Sequence, residues 1–138
     1  MVEIVPRAGD DLGSLFGLAK GVFGELPGWS DARVADVLTN DVVFVAREEG
    51  LLAGYVALSR GTDRCVVVDQ LVVAPGHERR GVGRSLLDCA EGYAIADEAD
   101  TLRIVVEEGN SVARDFYRRR GFVPLEDELF ELVLPQRG

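Results

Sequence analysis

The feature that most constrains the fold of this 138-residue chain is a long apolar run that leads through a turn into a helix and a second apolar run. Residues 65–74, CVVVDQLVVA, are apolar on both alternating faces, as in a strand buried within a sheet. Residues 81–97 have the apolar spacing of a helix, and residues 102–107, LRIVVE, indicate the next strand. Because a strand–helix–strand connection is nearly always a right-handed crossover, the two strands are predicted to be parallel.

The rest of the chain predicts hairpins and short helices around this crossover. Glu48-Glu49-Gly50 separates two apolar runs and is typical of a hairpin. Asp10 or Asp11 is placed to cap the first helix, and Ser30 the second. The further strands are predicted at 2–6, 42–47, 51–59, 122–125 and 129–134, and the further helices at about 11–23, after Ser30, and at 111–120. The element order is therefore β-α-α-β-β-β-α-β-α-β-β, which predicts an α/β (α+β) fold with a mixed sheet.

Composition favours a single folded domain over residues 1–138. Hydrophobic residues make up 47% of the chain, which is too many for a disordered segment. No apolar run reaches the roughly 18 residues of a membrane-spanning helix, so no membrane partner is expected. Residues 1–7 lack the basic and apolar regions of a signal peptide, and a cytoplasmic location is predicted.

Cysteine and histidine are too few and too scattered to suggest a metal centre. Cys65 and Cys89 form no metal-ligand spacing and are expected to be buried, reduced thiols. The single histidine, His77, is expected to be exposed and is assigned no role. No metal site is therefore predicted, and a Cys-His or Ser-His nucleophilic pair is disfavoured.

The charge of the chain is acidic overall but basic in two short windows. The formal net charge of −9 disfavours nucleic acid as a partner, because binding a phosphate backbone needs a basic face. Residues 77–84 and 110–120 nevertheless hold seven arginines against two acids, Glu78 and Asp115. A local basic site on an acidic protein indicates a small polyanionic ligand.

The first basic window follows the long central strand. A helix N-terminus presents unpaired N–H groups and a partial positive charge, which makes it suited to bind an anion. In the segment 78–84, ERRGVGR, Gly81 and Gly83 let the backbone approach a ligand closely. The same pattern also occurs in ordinary strand–helix turns. It is neither a P-loop nor a GxGxxG dinucleotide motif.

The second basic window lies in the segment 110–122, NSVARDFYRRRGF. Asn110 is placed to cap a helix, and Gly121 suits the position just after its end. Three residues share one face of this helix through their three- and four-residue spacing, namely Ala113, Phe116 and Tyr117. The window therefore predicts a short helix with a start signal and a stop signal in the sequence.

Together the two windows resemble the signature of the GNAT superfamily of N-acetyltransferases. That family's motif Q/R-x-x-G-x-G/A follows its fourth strand, and its later segment reads N-x-x-A-x-x-F-Y-x-x-x-G-F. The later segment is present in full, the element order agrees, and the resemblance covers essentially the whole chain. It implies a GNAT-like fold, with helices on both faces of a central mixed sheet and a splay between the fourth and fifth strands. Glu78 departs from the motif, which has Gln or Arg at that position.

The resemblance implies acetyl-CoA as co-substrate and transfer of its acetyl group to an amine. Tyr117 matches the family tyrosine that protonates the leaving thiolate, and Asp69 and Glu107 are alternative candidates for a base. In the ribosomal-protein alanine acetyltransferases a glutamate lies on the fifth strand where this chain has Val105. The residues expected to bind the cofactor are Leu71, Val72, Val73, Arg79, Arg80, Gly81, Val82, Gly83, Arg84, Asn110, Phe116 and Tyr117.

The acceptor is expected where the two N-terminal helices and the final hairpin meet, as in the family. Glu25, Trp29 and Glu126 are the candidate substrate residues, because acid beside an aromatic ring suits a cationic amine. A small cationic amine or an amino-acid-like molecule is therefore the leading acceptor. A peptide N-terminus or lysine as acceptor, and a non-enzymatic acetyl-CoA sensor, stay open. The family also leaves a homodimer open.

Overall fold

The computed structural model describes residues 1–135 of the chain. The elements are β1 (Val2–Pro6), α1 (Leu12–Phe23), α2 (Asp31–Asn40), β2 (Val42–Glu48), β3 (Leu51–Arg60), β4 (Cys65–Val73), α3 (Val82–Ala96), β5 (Thr101–Val105), α4 (Ser111–Arg119), β6 (Val123–Pro124) and β7 (Leu129–Val133). The seven strands form one mixed sheet in the order β1-β2-β3-β4-β5-β7-β6. This is the predicted succession of strands and helices, with a short 3₁₀ turn over Gly9–Asp11 added before α1.

The predicted boundaries differ from the observed ones by one or two residues. The largest difference is at β5, which ends at Val105 instead of residue 107. The carbonyl of Glu107 accepts a hydrogen bond from the Asn110 N–H at 3.0 Å, so this residue already belongs to the turn before α4. The local turn therefore ends the strand earlier than its apolar pattern suggests.

Asp11 does not cap α1 through its side chain, contrary to the prediction. Its Oδ2 accepts a hydrogen bond from the Ala8 N–H at 2.9 Å, and its Oδ1 accepts one from Arg47 Nη2 at 2.9 Å. The carboxylate thus closes the 3₁₀ turn before α1 and anchors that turn to β2. The predicted cap of α2 is confirmed, because Ser30 Oγ accepts a hydrogen bond from the Arg33 N–H at 3.2 Å.

The chain divides into two compact units, and β4 contributes residues to both. The first unit comprises Met1–Leu58 and Gln70–Ala90. In it β2 and β3 form the predicted hairpin, whose two linking residues, Glu49 and Gly50, have φ angles of 51° and 79°, as a tight hairpin turn requires. The core of this unit contains Leu15, Ala19, Val34, Leu38, Val43, Val45, Tyr55, Ala57 and Val72.

The second unit comprises Ser59–Asp69 and Glu91–Gly138. Its strand pairs include a parallel ladder of Cys65–Val68 with Thr101–Ile104, which confirms the predicted crossover. β7 pairs antiparallel with both β5 and β6. The splay of β4 from β5 beyond this ladder stays a prediction, and so does a single domain over residues 1–138.

A bulge in β3 brings a glycine against the backbone of β4. Ala46 pairs with Gly54 and Arg47 with Leu52, which leaves Ala53 as the extra residue. The Ala53 carbonyl accepts a hydrogen bond from the Ala74 N–H at 2.8 Å. A Cβ added at Gly54 would lie 2.3 Å from the Val72 carbonyl oxygen, so no larger residue fits without a shift.

We therefore expect Gly54→Ala to destabilise the protein by about 1–3 kcal/mol, because an added methyl group overpacks the contact with Val72. The measurement is urea-induced unfolding. Gly21→Ala is the matched control, because no heavy atom lies within 4 Å of a Cβ added at Gly21, inside α1. That control should stabilise the protein by about 0.5–1 kcal/mol, and equal effects of the two substitutions would contradict the close approach.

Candidate functional site

The turn between β4 and α3 has the backbone geometry of an anion-binding helix start. The Gly81 carbonyl accepts a hydrogen bond from the Ser85 N–H at 3.0 Å, so the helical hydrogen bonding begins at Gly81. Gly81 has a φ of 84°, and Arg79 has a φ of 62°, which is uncommon for a residue with a side chain. A Cβ at Gly81 would meet no atom within 4 Å. The positive φ, and not steric crowding, therefore explains why glycine occupies this position. The first N–H groups of α3 are left for a ligand or water.

Charged side chains surround this turn in the first unit. Arg79, Arg80 and Arg84 are exposed. Glu78 is exposed as well, and its Oε2 accepts a hydrogen bond from the Gly76 N–H at 2.9 Å. The atypical carboxylate of the motif thus bonds to its own turn. These residues form a small basic surface directly at the start of α3.

The prediction that His77 is exposed is wrong. Its side chain is 17% exposed, and its Nδ1 lies 2.7 Å from Glu48 Oε1 at the end of β2. Arg80 Nη1 lies 3.3 Å from the same oxygen. The hydrogen bond from His77, followed by the contact with Arg80, holds the pKa of Glu48 below its usual range. Sequence reasoning missed this contact because Glu48 precedes His77 by 29 residues.

The predicted pantetheine-binding segment, Leu71 to Val73, leads into this turn and belongs to the same unit. Val72 is buried in the core of the unit, while its neighbours Leu71 and Val73 are partly exposed. Gln70, just before them, accepts a hydrogen bond from the buried Tyr55 hydroxyl at 2.6 Å. Core contacts therefore fix the backbone of this part of β4.

The two acceptor candidates of the first unit follow α1. Glu25 is exposed in the turn, and Trp29 is partly buried with its ring 6.2 Å from that of Phe16. The Trp29 indole N–H donates to Asp31 Oδ1 at 2.6 Å. This hydrogen bond, together with Lys20, lowers the pKa of Asp31. The indole is therefore held in place beside an ionised carboxylate.

Helix α4 of the second unit is ended in a way that orients Tyr117. Gly121, with a φ of 96°, donates from its N–H to the Arg118 carbonyl at 3.0 Å, and Phe122 donates to the Tyr117 carbonyl at 3.1 Å. These two bonds form a Schellman motif, in which a hydrophobic contact commonly joins the same residues. Here the Tyr117 and Phe122 rings meet edge to face at 5.5 Å. The predicted cap is also confirmed, because Asn110 Oδ1 accepts a hydrogen bond from the Ala113 N–H at 3.1 Å.

Tyr117 is protected from water. The residue is 6% exposed. The centre of its ring also lies 5.2 Å from the centre of the Phe116 ring. Burial raises the pKa of Tyr117 above its usual value, because the charged phenolate is disfavoured in an apolar environment. The phenol is therefore neutral at physiological pH.

An open cleft of about 490 Å³ lies beside the final hairpin of the second unit, and it is lined by Glu108, Arg114, Pro124, Leu125, Glu126 and Asp127. Arg114 Nη1 donates to the Val106 carbonyl at 3.3 Å and to the Asp127 carbonyl at 3.0 Å. Its guanidinium lies 4.8 Å from the centre of the Phe130 ring. The arginine thus ties α4 to the loop that carries Glu126. Sequence reasoning missed this role and counted Arg114 only among the arginines of the second basic window.

The two base candidates are not distinguished by their surroundings. Asp69 is exposed on β4, and Glu107 is exposed in the turn after β5. Val105, at the position of the glutamate in the ribosomal-protein alanine acetyltransferases, is 62% exposed. Both carboxylates stay predictions as bases.

Residues 1–135 contain neither a candidate metal-binding cluster nor a helix suited to cross a membrane. Within this described part of the chain, no group of three His, Cys, Asp or Glu side chains is arranged to hold a metal ion. None of its helices combines the length and the apolar character that crossing a bilayer requires.

Comparison with known proteins identifies similar sequences and folds. Residues 16–122 match the model of the Acetyltransferase (GNAT) family. An uncharacterised N-acetyltransferase of Mycobacterium tuberculosis is 34% identical over 97 residues, which are 67% of this chain but only 61% of that protein. The chain therefore spans less than two thirds of that relative's length.

Two solved structures share the fold. The ribosomal-protein-S18-alanine N-acetyltransferase from Escherichia coli has a TM-score of 0.83 at 20% identity, over 100% of this chain and 97% of that one. The PaiA N-acetyltransferase from Thermoplasma acidophilum, in complex with coenzyme A, has a TM-score of 0.78 at 20% identity, over 96% of this chain and 99% of that one.

The contacts of Arg114 predict that Arg114→Met loosens the loop over 124–128. Methionine keeps an apolar stem beside Phe130 but removes the donor to Val106 and Asp127. We expect a loss of about 1–2 kcal/mol in unfolding free energy and faster amide exchange in the loop. Arg119→Met is the control, because Arg119 is exposed on the same helix and loses the same charge. Similar exchange rates in the two variants would contradict the tie.

Proposed function

The chain belongs to the GNAT family of acetyltransferases, because the family model covers residues 16–122, and we propose on this basis that it transfers the acetyl group of acetyl-CoA to a primary amine. The observation that carries the proposal is the turn at Gly81. It follows a strand, opens α3 with a positive φ, and is accompanied by exposed arginines. Such a helix start suits the diphosphate of CoA.

The donor is proposed to bind through backbone and charge. The N–H groups of residues 79–84 would hold the diphosphate, with Arg79 and Arg84 adding positive charge. The backbone of Leu71 to Val73 would pair with pantetheine. The Thermoplasma acidophilum neighbour in complex with coenzyme A supports this use of the fold. Asn110 and Phe116 are proposed cofactor residues because they match the family's later segment.

The chemistry is proposed to be direct attack. The neutral amine nitrogen attacks the thioester carbon, and a backbone N–H of β4 stabilises the oxyanion of the tetrahedral intermediate. The carbon–sulfur bond then breaks, and the thiolate takes the proton of the Tyr117 phenol. The amine gives up its proton through water to Asp69 or Glu107, and the Tyr117 phenolate regains a proton from solvent as that carboxyl releases its own. Burial raises the pKa of the Tyr117 phenol further above that of a thiol, so the proton transfer depends on a direct hydrogen bond between the phenol and the leaving sulfur in the complex.

A small cationic amine or an amino-acid-like molecule is the proposed acceptor. The cleft beside Glu126 also contains Glu108 and Asp127, and such acidic groups attract a cation. The exposed Val105 supports this choice over a ribosomal-protein alanine substrate, because it offers no carboxylate there. A peptide amine is the second candidate, because the cleft is open to solvent and because the Escherichia coli neighbour is named for acetylation of a protein alanine.

The decisive experiment is an assay of free CoA release with purified protein and a panel of amines. The panel contains polyamines, amino acids, aminoglycoside-like cations, and peptides with free N-termini or lysines. Turnover on a small cation supports the leading acceptor, and turnover on peptides alone supports the second. Tight acetyl-CoA binding without turnover on any amine would show an acetyl-CoA sensor and refute the enzyme.

Tyr117→Phe is expected to lower kcat by about 10²–10³-fold while leaving acetyl-CoA binding nearly unchanged, because only the proton donor is lost. Steady-state kinetics and calorimetric binding measure the two effects. Tyr93→Phe is the matched control, because it removes the hydroxyl of a partly buried tyrosine in the last turns of α3, outside the proposed cofactor and catalytic residues. An unchanged kcat in Tyr117→Phe would remove this residue from the mechanism.

The pH profile gives a second readout of the same substitution. Because the pKa of Tyr117 is raised from its usual value of 10.0, the phenol stays protonated as the pH approaches 10. Ionisation of Tyr117 should therefore cause no decline of the wild-type kcat below pH 10. Any decline that is seen below that pH should persist in Tyr117→Phe.

Glu78→Gln is expected to tighten acetyl-CoA binding slightly, by about twofold, because it removes a negative charge beside the proposed diphosphate site. An amide oxygen can still accept the hydrogen bond from the Gly76 N–H, so the turn should be preserved. Calorimetric titration at low and high salt measures the effect, which should shrink as salt screens the charge. Weaker binding would contradict this expectation.

A further inference from the structure

Glu48, at the end of β2, forms ion pairs with two side chains of the turn between β4 and α3. Its Oε1 meets His77 Nδ1 at 2.7 Å and Arg80 Nη1 at 3.3 Å. The Glu48 side chain is 12% exposed, and that of His77 is 17% exposed. One sheltered carboxylate oxygen therefore holds two residues of the turn.

The two held residues stand on either side of the unusual backbone. Arg79, between His77 and Arg80, has a φ of 62°, and Gly81 directly after them has a φ of 84°. A residue with a side chain seldom adopts a positive φ unless its surroundings hold it there. Glu48 supplies such a hold, because its side chain contacts the turn both before and after Arg79.

Glu48 itself has a fixed position. It is the last residue of β2 and pairs with Val2 of β1 and with Leu51 of β3. Its backbone is therefore part of the sheet on both sides. The hydrogen bond from His77, and then the contact with Arg80, lower its pKa, so it is ionised at neutral pH. The turn is thus anchored by a charged group on a rigid strand.

We propose that Glu48 is a positioning residue for the diphosphate of the donor, which acts by holding His77 and Arg80 so that the N–H groups of the turn stay aimed at the anion. The inference rests on the proposed function, because it assumes that this turn binds CoA. A preorganised site binds more tightly because less ordering remains to be done on binding.

Charge alone predicts the opposite sign. Glu48 is an anion near the proposed site of a polyanion, so its removal should strengthen binding if simple repulsion dominated. Arg80 is 58% exposed at its side chain, and charges there are screened by water and salt. The sign of the change in CoA affinity therefore separates positioning from repulsion.

The test compares Glu48→Ala with Glu49→Ala in calorimetric titrations with CoA. Glu49 is exposed in the hairpin turn and carries the same charge one residue further on. We expect Glu48→Ala to weaken CoA binding by about five- to tenfold, and Glu49→Ala to leave it unchanged or slightly tighter. In turnover, Glu48→Ala should raise the KM for acetyl-CoA and leave kcat unchanged.

Two more measurements tie the effect to the turn. Acetyl-pantetheine lacks the diphosphate, so its kcat/KM should be equal in Glu48→Ala and the wild type. In a background with His77→Gln and Arg80→Gln, the further change Glu48→Ala should have no additional effect on CoA affinity. Hydrogen exchange of residues 76–81 should accelerate in Glu48→Ala even where thermal unfolding shows an intact fold.

The outcomes separate this inference from the function on which it rests. Unchanged or tighter CoA binding by Glu48→Ala, with normal binding by the wild type, overturns the positioning role alone. An equal loss in Glu48→Ala and Glu49→Ala does the same. A wild-type protein that binds CoA but acetylates nothing refutes the enzyme and leaves the positioning test intact. A wild type that binds no CoA refutes both.

Discussion

The parallel ladder of Cys65–Val68 with Thr101–Ile104 is the constraint on which the proposed site depends. Two parallel neighbours cannot be joined by a hairpin, so the chain must cross over between them, here through α3. The crossover helix starts soon after β4 ends, and the helical hydrogen bonding begins at Gly81. Its unpaired N–H groups therefore follow directly on the carboxyl end of a buried strand. In open α/β sheets this is where ligands bind.

Local backbone geometry then determines the conformation of the turn between β4 and α3 and the position of Tyr117 on α4. At the turn, the positive φ angles of Arg79 and Gly81 reverse the chain and lead into α3. At α4, the Schellman motif after Tyr117 places that ring edge to face against Phe122, and the Tyr117 side chain is buried. Burial in turn keeps the phenol neutral. In both segments a glycine makes the backbone geometry available.

Most of the fold could be predicted because its signals are local. The element order follows from apolar periodicity, and the caps at Ser30 and Asn110 follow from side chains that bond three residues ahead. Asp11 shows the limit of such reasoning. It is a suitable cap by type, but its carboxylate bonds instead to the Ala8 N–H and to Arg47, which lies 36 residues away. A distant partner in the folded chain competes with the local one, and composition does not reveal it.

The sequence by itself determined the succession of elements, the parallel crossover, the glycine turn and the helix that carries Tyr117. The reason is that backbone propensities, caps and apolar periods act over a few residues. Only the tertiary structure decided that His77 is sheltered against Glu48 and that Arg114 ties α4 to the loop at Asp127. These contacts join residues that are far apart along the chain. They depend on sheet register and loop packing, and so they exist only once the strands have paired.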